Sequence, residues 1–324
     1  MSNRKSTINY LTNKYLINGF LVKVPFLGDK IKAYKELVQI ARGCGFKPGH
    51  FYSPIPSREE VRNNADRIFS KAEVLDIELN IDKQFQLLET FTAMRSEFPY
   101  DFLNSKENEN LRYRFTNRPQ YRYSDVVFLY NVIRKIKPRQ IVEVGSGASS
   151  AVMLDTNDLF CNSSVQFTFI EPYPERLFGF LNDQDRKNTT IFEEKVQDVP
   201  LDVFRSLQEN DILFIDSSHV SKVGSDVNHL IFNILPLLNK GVWIHFHDIF
   251  YPFELPKHWI LENSRFWNES YLLRAFLMNN DSYEIMLFNT LLHEKFRDWF
   301  ENEMPECLID EGDTGSIWIR KRTN

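Results

Sequence analysis

Short, nearly uninterrupted apolar runs alternate with amphipathic stretches along the second half of the chain. Gln140 to Val144, Val165 to Ile170, Thr190 to Phe192, Asp211 to Ile215 and Gly241 to Phe246 are each rich in β-branched, leucine or aromatic residues. This is the pattern of parallel strands buried on both faces and joined by long crossovers. Tyr283 to Phe288 and Ser316 to Ile319 add two further candidates. Between the runs the spacing becomes helical. Val127, Leu129, Tyr130, Val132, Ile133 and Ile136 predict a helix that Ser124 caps and Pro138 ends, and a second helix is expected from Ser149 to about Phe160. Seven strands alternating with helices predict an α/β fold, a mostly parallel, doubly wound sheet with helices on both faces.

The N-terminal part has a different texture. Ile31, Tyr34, Leu37, Ile40 and Ala41 recur at helical spacing before Gly43 and Gly45. Pro54 and Pro56 force Gly49 to Pro56 to run extended or to turn. Helices are expected from Ser57 to Ser70, with Ser57 as cap and Glu60 three residues on, and around 82 to 95. The expected division is an N-terminal helical region over 1–122, folding over the site as a lid, and a chemistry-bearing domain over 123–324.

Composition narrows the function classes. The chain has 324 residues, 43% of them hydrophobic and 26% charged, and a formal net charge of −5, so it lacks the basic footprint of a nucleic-acid binder. Cys44, Cys161 and Cys307 are too far apart to clip zinc or form a redox pair, which fits a reducing compartment. No run approaches the roughly 18 apolar residues of a membrane span, and Lys23 and Pro25 interrupt the first apolar stretch, so no signal-peptide core forms. A cytoplasmic location without membrane or nucleic-acid partners is expected. An aromatic content of 14% leaves room for an apolar contact between copies in a homo-oligomer.

The candidate chemistry gathers where strands end. The first strand runs into Gly145-Ser146-Gly147-Ala148-Ser149-Ser150 and then a helix. Glycines let a ligand approach the backbone closely, and a helix start offers free N–H groups. Ser150 stands where a dinucleotide fingerprint carries its third glycine. Glu143 would repel a pyrophosphate there but hold a cationic ligand. The second strand ends at Glu171, the position of an acid that takes ribose hydroxyls. One carboxylate for an amino-acid-like cation and one for a ribose point to S-adenosylmethionine rather than NAD. Helix capping or solvent exposure is the alternative for both acids.

The fourth strand ends Asp216-Ser217-Ser218-His219, and the fifth ends His245-Phe246-His247-Asp248. Adjacent parallel strands bring such ends together, so Asp216, His219, His247 and Asp248 are expected to converge. Mixed oxygen and nitrogen donors suggest a divalent metal, with Asp216, His247 and Asp248 as ligands. The carboxylates suit Mg²⁺, whereas the imidazole suits Mn, Zn or Fe better. Capping or cofactor contact without a metal is the alternative. His219, with an ordinary pKa of about 6.5, is the expected general base. His245 reads as a core histidine, and His229 and His258 as surface or helix residues.

On these motifs, residues from about 124 to 324 resemble the class I S-adenosylmethionine-dependent methyltransferases, a Rossmann-like fold. The resemblance implies that Glu143, Gly145, Ser146 and Gly147 form the first cofactor motif and that Glu171 binds ribose. It further implies that Val196, Gln197 and Asp198, after the third strand, approach adenine, with Asp216 beside the cofactor. The strand-end set is similar to that of metal-dependent O-methyltransferases of the catechol and macrolide-sugar types, some of which carry a base three residues after the first Asp, the position of His219. The acceptor would then be a hydroxyl of a small molecule or glycan. Its pocket is expected to use Phe250 to Pro256, Trp259, Phe266, Trp267, Asn268 and Tyr271. The rival readings are methylation of nitrogen or another nucleophile without a metal, an α/β hydrolase using Ser149, Asp216 and His247, and a nucleoside-binding protein without turnover.

Overall fold

The computed structural model describes residues 45–70, 73–104, 106–115 and 121–323. The helical spacing at Ile31 to Ala41 and Cys44 lie outside the described residues. The chain divides into two compact units, residues 1–68 and 69–324. In the first, Ser57 Oγ accepts the Glu60 N–H at 3.3 Å and starts the short helix Arg58–Asn63, which Ala65–Ile68 follows. The proline stretch before it turns, closed by Gly49 N–H to the Ile55 carbonyl at 2.9 Å.

The second unit carries a seven-stranded sheet, β1 Gln140–Val144, β2 Gln166–Ile170, β3 Thr190–Phe192, β4 Ile212–Ile215, β5 Trp243–His247, β6 Tyr283–Phe288 and β7 Ser316–Lys321. The strand order is β3-β2-β1-β4-β5-β7-β6, parallel throughout except for β7, which runs against both β5 and β6. From β1 the chain winds outward to β2 and β3 and then returns to β4 on the other side. That reversal opens a crevice beyond the carboxyl ends of β1 and β4, where ligands of open α/β sheets bind.

Among the described residues, the helices of seven residues or more are α1 Ile81–Glu89, α2 Tyr123–Ile136, α3 Ala148–Phe160, α4 Glu269–Leu277, α5 Asn289–Lys295 and α6 Arg297–Glu303. Among the described residues no helix is long and apolar enough to cross a membrane.

Strand alternation sorts the core into two layers. Ile141, Phe167, Phe169, Ile212, Phe214, Trp243 and Trp318 pack with the apolar residues of α2 and α3. Val142, Val144, Ile170, Leu213, Ile215, Ile244 and Phe246 face the other layer, with Leu230, Ile234, Leu273 and Leu277. Leu88, Phe91, Tyr100, Phe102, Tyr113 and Tyr121, which precede α2, join the first layer. Ser124 does not cap α2. The helix starts at Tyr123 with Arg122 as cap residue, and the buried Ser124 hydroxyl lies 3.0 Å from His293 Nε2 on α5, a tertiary contact that replaces the local one.

The lower edge of the sheet is tied by Asp211. Its buried carboxylate accepts the N–H groups of Arg139, Gln140 and Gln208 at 2.8–3.0 Å and the Arg139 guanidinium at 3.0 Å, so the starts of β1 and β4 share one anchor. Removing an acceptor that satisfies three backbone donors should be expensive. Asp211→Ala is expected to lower the unfolding free energy by roughly 2–4 kcal/mol in urea titration; a change within about 0.5 kcal/mol would mean that water replaces the anchor.

Candidate active site

A cavity of about 600 Å³ opens at the carboxyl ends of the strands, lined by the Gly145–Ser149 turn, Glu171, Asp216, His219, His247 and Asp248, among others. A second, of about 460 Å³, shares Gly145, Glu171 and Asp216 with it and adds Val196 and Gln197. The two together form a trough across the reversal point of the sheet.

The turn is shaped by crowding. Gly145 has φ +84°, and a Cβ there would lie 1.8 Å from the carbonyl oxygen of Asp216. The close approach is held by hydrogen bonds from Gly145 N–H to the Ile170 carbonyl at 3.0 Å and from Asp216 N–H to the Val144 carbonyl at 2.9 Å. Gly147 is extended, and a Cβ there would meet nothing closer than 3.7 Å, so this glycine leaves the trough open rather than relieving a clash. The Ser146 hydroxyl is buried without a hydrogen-bond partner and lines the larger cavity.

Glu143 is turned away from the trough. It lies on the same strand face as Ile141, toward α3, and the hydroxyls of Ser149 and Ser150 donate to its two carboxyl oxygens. Burial pushes its pKa up to about 8, against the opposing effect of the serine hydroxyls. At neutral pH it is a protonated acid that fastens the first turn of α3 to β1, with no surface in the cavity to offer a cation. The Ser149 hydroxyl is thereby engaged by Glu143 and has no hydrogen bond to His247, so the Ser149–His247 pair expected of a hydrolase does not form.

Glu171 lies half-buried at the rim of both cavities, and its Oε1 accepts the Tyr173 N–H at 2.8 Å. Burial raises its pKa. Val196 and Gln197 line the smaller cavity, where Gln197 Nε2 donates to the Gly224 carbonyl at 2.8 Å. Asp198 does not reach it; the turn closed by Asp198 N–H to the Lys195 carbonyl leaves that side chain in solvent.

The ends of β4 and β5 meet as their pairing requires. His219 and Asp248 both adopt left-handed backbone, φ +58° and +56°, a conformation that costs energy for such residues and recurs at functional sites. The N–H groups of Asn268 and Glu269, at the start of α4, both donate to the His219 carbonyl at 3.1 Å and hold it there. Glu269, itself buried, accepts from Ser217 Oγ at 2.9 Å and lies 2.8 Å from His219 Nδ1. The other ring nitrogen, Nε2, therefore faces the trough, 3.2 Å from Asp216 Oδ1 and 3.5 Å from Asp248 Oδ2.

Burial alone would lower the pKa of this imidazole. The hydrogen bonds to Asp216 and Glu269 and the charges of Glu269 and Asp248 push it well above the usual histidine range instead. Asp216 is held below the ordinary carboxylate value: burial would raise it, but the neighbouring histidines outweigh burial. Asp248 is raised, chiefly by burial.

One ligand atom from each of Asp216, His219 and Asp248 falls within a span of 4.8 Å. His247, expected as the nitrogen ligand, is not in this group. Its Nε2 is 3.6 Å from Asp248 Oδ1, its Nδ1 is buried without a partner, and its ring packs near Tyr121. His219 takes its place because the left-handed turn after β4 folds that ring back over Asp216. His245 is a core residue, stacked on Phe214 at 3.9 Å, but neither of its nitrogens has a hydrogen-bond partner, and burial drives its pKa far down.

The far wall of the larger cavity carries Trp259, Trp267, Arg265, His258 and Asp313. Of the aromatic stretch expected to form it, Phe250, Phe253 and Leu255 are buried, and Tyr271 donates to Glu254 Oε1 on the exposed edge. Asn268 accepts the Ser221 N–H at 2.6 Å. Glu269, Arg265 and Asp313 were not singled out from the sequence, because each is a lone charge whose partners come from distant segments.

Two substitutions test this geometry. Gly145→Ala drives a Cβ into backbone and should cost roughly 3 kcal/mol or more of stability by urea unfolding. Glu143→Gln tests the buried acid. Between its ordinary value of 4.5 and its folded value of about 8, the folded protein keeps a proton that the unfolded chain has lost. Stability then falls as pH rises across that window, by up to about 1.4 kcal/mol per unit. Thermal unfolding from pH 5 to 8 should show wild type losing ground to Glu143→Gln; parallel pH profiles would mean the carboxyl titrates normally.

A family model described as a methyltransferase domain matches residues 142–249. An uncharacterized protein of Archaeoglobus fulgidus is 36% identical over 180 residues, which cover 54% of this chain and 79% of that protein. Among solved structures, the apo form of CmcI-N160 is similar at 16% identity and TM-score 0.40, over 72% of this chain and 84% of that one. The O-methyltransferase TomG from Streptomyces achromogenes, solved with S-adenosylmethionine, is similar at 11% identity and TM-score 0.42, over 81% and 96%. The matched domain model identifies residues 142–249, the stretch that carries the glycine turn, Glu171, Asp216 and His219, as a methyltransferase domain.

Proposed function

We propose that the protein transfers the methyl group of S-adenosylmethionine to a hydroxyl of a small molecule or glycan, assisted by a divalent cation. The observation that carries this reading is the gathering of Asp216, His219 and Asp248 in the same trough as the Gly145 turn and Glu171. The Gly145–Ser149 turn and the buried Ser146 hydroxyl suit the amino-acid end of the cofactor, Glu171 the ribose, and Val196 and Gln197 the base. Glu143 serves this site at one remove, through the α3 turn that it fastens.

The donor set fits a divalent cation. Two carboxylate oxygens and an imidazole nitrogen lie within reach of one another, and Glu269 adds a further carboxylate behind the ring. Asp216 and Asp248 would hold the ion through their carboxylates, leaving His219 Nε2 for the proton, and the ion when bound would lower the pKa of an acceptor hydroxyl. His219 manages the proton. Glu269 keeps Nδ1–H in place, so exchange with the acceptor occurs at Nε2. Surrounded by carboxylates, this ring already carries its proton, and it accepts another group's only when the charge on Asp216 and Asp248 is offset. General base and cation therefore belong to one device.

That same proton favours a second reading. An imidazolium between Asp216 and Asp248 satisfies both carboxylates without an ion, as metal-independent transfer would have it.

Calorimetric titration separates these readings. Chelator-stripped protein should bind S-adenosylmethionine and not NAD⁺, and Glu171→Ala should weaken that binding about tenfold or more with the fold retained. Mn²⁺ should bind the stripped protein and lose its site in Asp216→Asn. Absence of an Mn²⁺ site with cofactor binding intact would select the metal-independent reading, and silence toward S-adenosylmethionine in folded protein would remove the proposal.

A further inference from the structure

Arg265 stands out among the charges on the cavity wall. Its guanidinium carbon lies 4.0 Å from the Trp259 ring centroid and 4.9 Å from that of Trp267, two indoles set at 84° to each other. Both rings and the arginine line the larger cavity. Cation–π contact with the two indoles braces the guanidinium without using its N–H groups, which can then make two-pronged contact with an oxyanion.

Neighbouring charges are otherwise engaged. Arg122, on the same cavity, is paired with Asp310 at 3.0 Å. Asp313 Oδ1 lies 2.8 Å from His258 Nε2 and accepts from Trp259 Nε1 at 2.7 Å, so it anchors one of the stacking indoles. Among the described residues no carboxylate lies within 4.0 Å of the Arg265 guanidinium, although three carboxylates crowd His219 nearby. The other indole, Trp267, packs against His219 with ring centroids 4.5 Å apart. An oxyanion on Arg265 would thus sit one indole away from the imidazole that handles the acceptor's proton.

We infer that the acceptor carries an oxyanion, a carboxylate or a phosphate, beside the hydroxyl to be methylated, and that Arg265, braced by Trp259 and Trp267, is the residue that selects it. This rests on the reading of the trough as a methyl-transfer site, and it narrows the acceptor from any hydroxyl to hydroxy acids or sugar phosphates.

The test uses the full chain with and without saturating S-adenosylhomocysteine, and follows tryptophan fluorescence and calorimetric heat. The probes are 3,4-dihydroxybenzoate and glucose 6-phosphate, each set against its neutral partner, 3,4-dihydroxybenzamide and glucose. At least one anionic probe should bind saturably and at least tenfold tighter than its partner, and which one does so distinguishes carboxylate from phosphate. Arg265→Gln should abolish that preference and leave S-adenosylhomocysteine affinity unchanged, while Arg265→Lys, which keeps charge but not the fork, should retain part of it. No saturable binding of either anion, or a preference that survives in Arg265→Gln, overturns the inference. Failure of the wild type to bind S-adenosylhomocysteine would instead strike the underlying reading, and the titrations without it score Arg265 separately.

Discussion

The backbone of β1 and that of β4 come so close at Gly145 that a Cβ would stand 1.8 Å from the Asp216 carbonyl oxygen. Everything beyond that point follows from the approach. It allows the Asp216 N–H to continue the ladder to Val144 while the next residues peel away, and it opens the trough where the sheet reverses direction. It also sets the carboxylate of Asp216 against the glycine turn, so that the end of the cofactor-type turn and the start of the charged cluster are one place. Only a residue without a side chain tolerates both the contact and φ +84°.

Two buried acids near this pinch are handled in opposite ways. Glu143 has only serine hydroxyls for company, and burial keeps it protonated near neutral pH. Asp216 has two imidazoles within electrostatic reach and stays ionised although it is also buried. The difference lies in the neighbours rather than in the depth. One acid becomes a neutral fastening for a helix, and the other becomes the charge around which a site is organised. Glu269 completes the pattern by holding His219 from behind, which fixes the ring nitrogen that faces the trough.

The cavity changes character from one end to the other. Toward β1 and β2 it offers backbone N–H groups, a serine hydroxyl and the rim acid Glu171. Toward α4 it offers two perpendicular indoles and a stacked guanidinium. Between the two stand Asp216, His219 and Asp248. The ionised cluster therefore separates two ends of different chemistry.

Much of this was legible in the residues themselves, because some constraints are local. Near-continuous apolar runs alternating with helical stretches determined seven strands in a mostly parallel sheet, and the glycine turn and the acids ending each strand marked the edge where the trough opens. Alternation along β1 even carried the clue that Glu143 shares a face with Ile141 and so points at a helix. What only the tertiary structure decided is which groups touch. Ser124 looked like a cap until His293 reached it from a helix far along the chain. Asp198 looked like a base-side contact until its turn aimed it outward. His219 replaced His247 in the ligand group because a left-handed residue after β4 folds its ring back, a conformation set by contacts from α4. Glu269, Arg265 and Asp313 had no signal at all, since a lone charge acquires meaning only from partners that lie tens of residues away and meet it through packing.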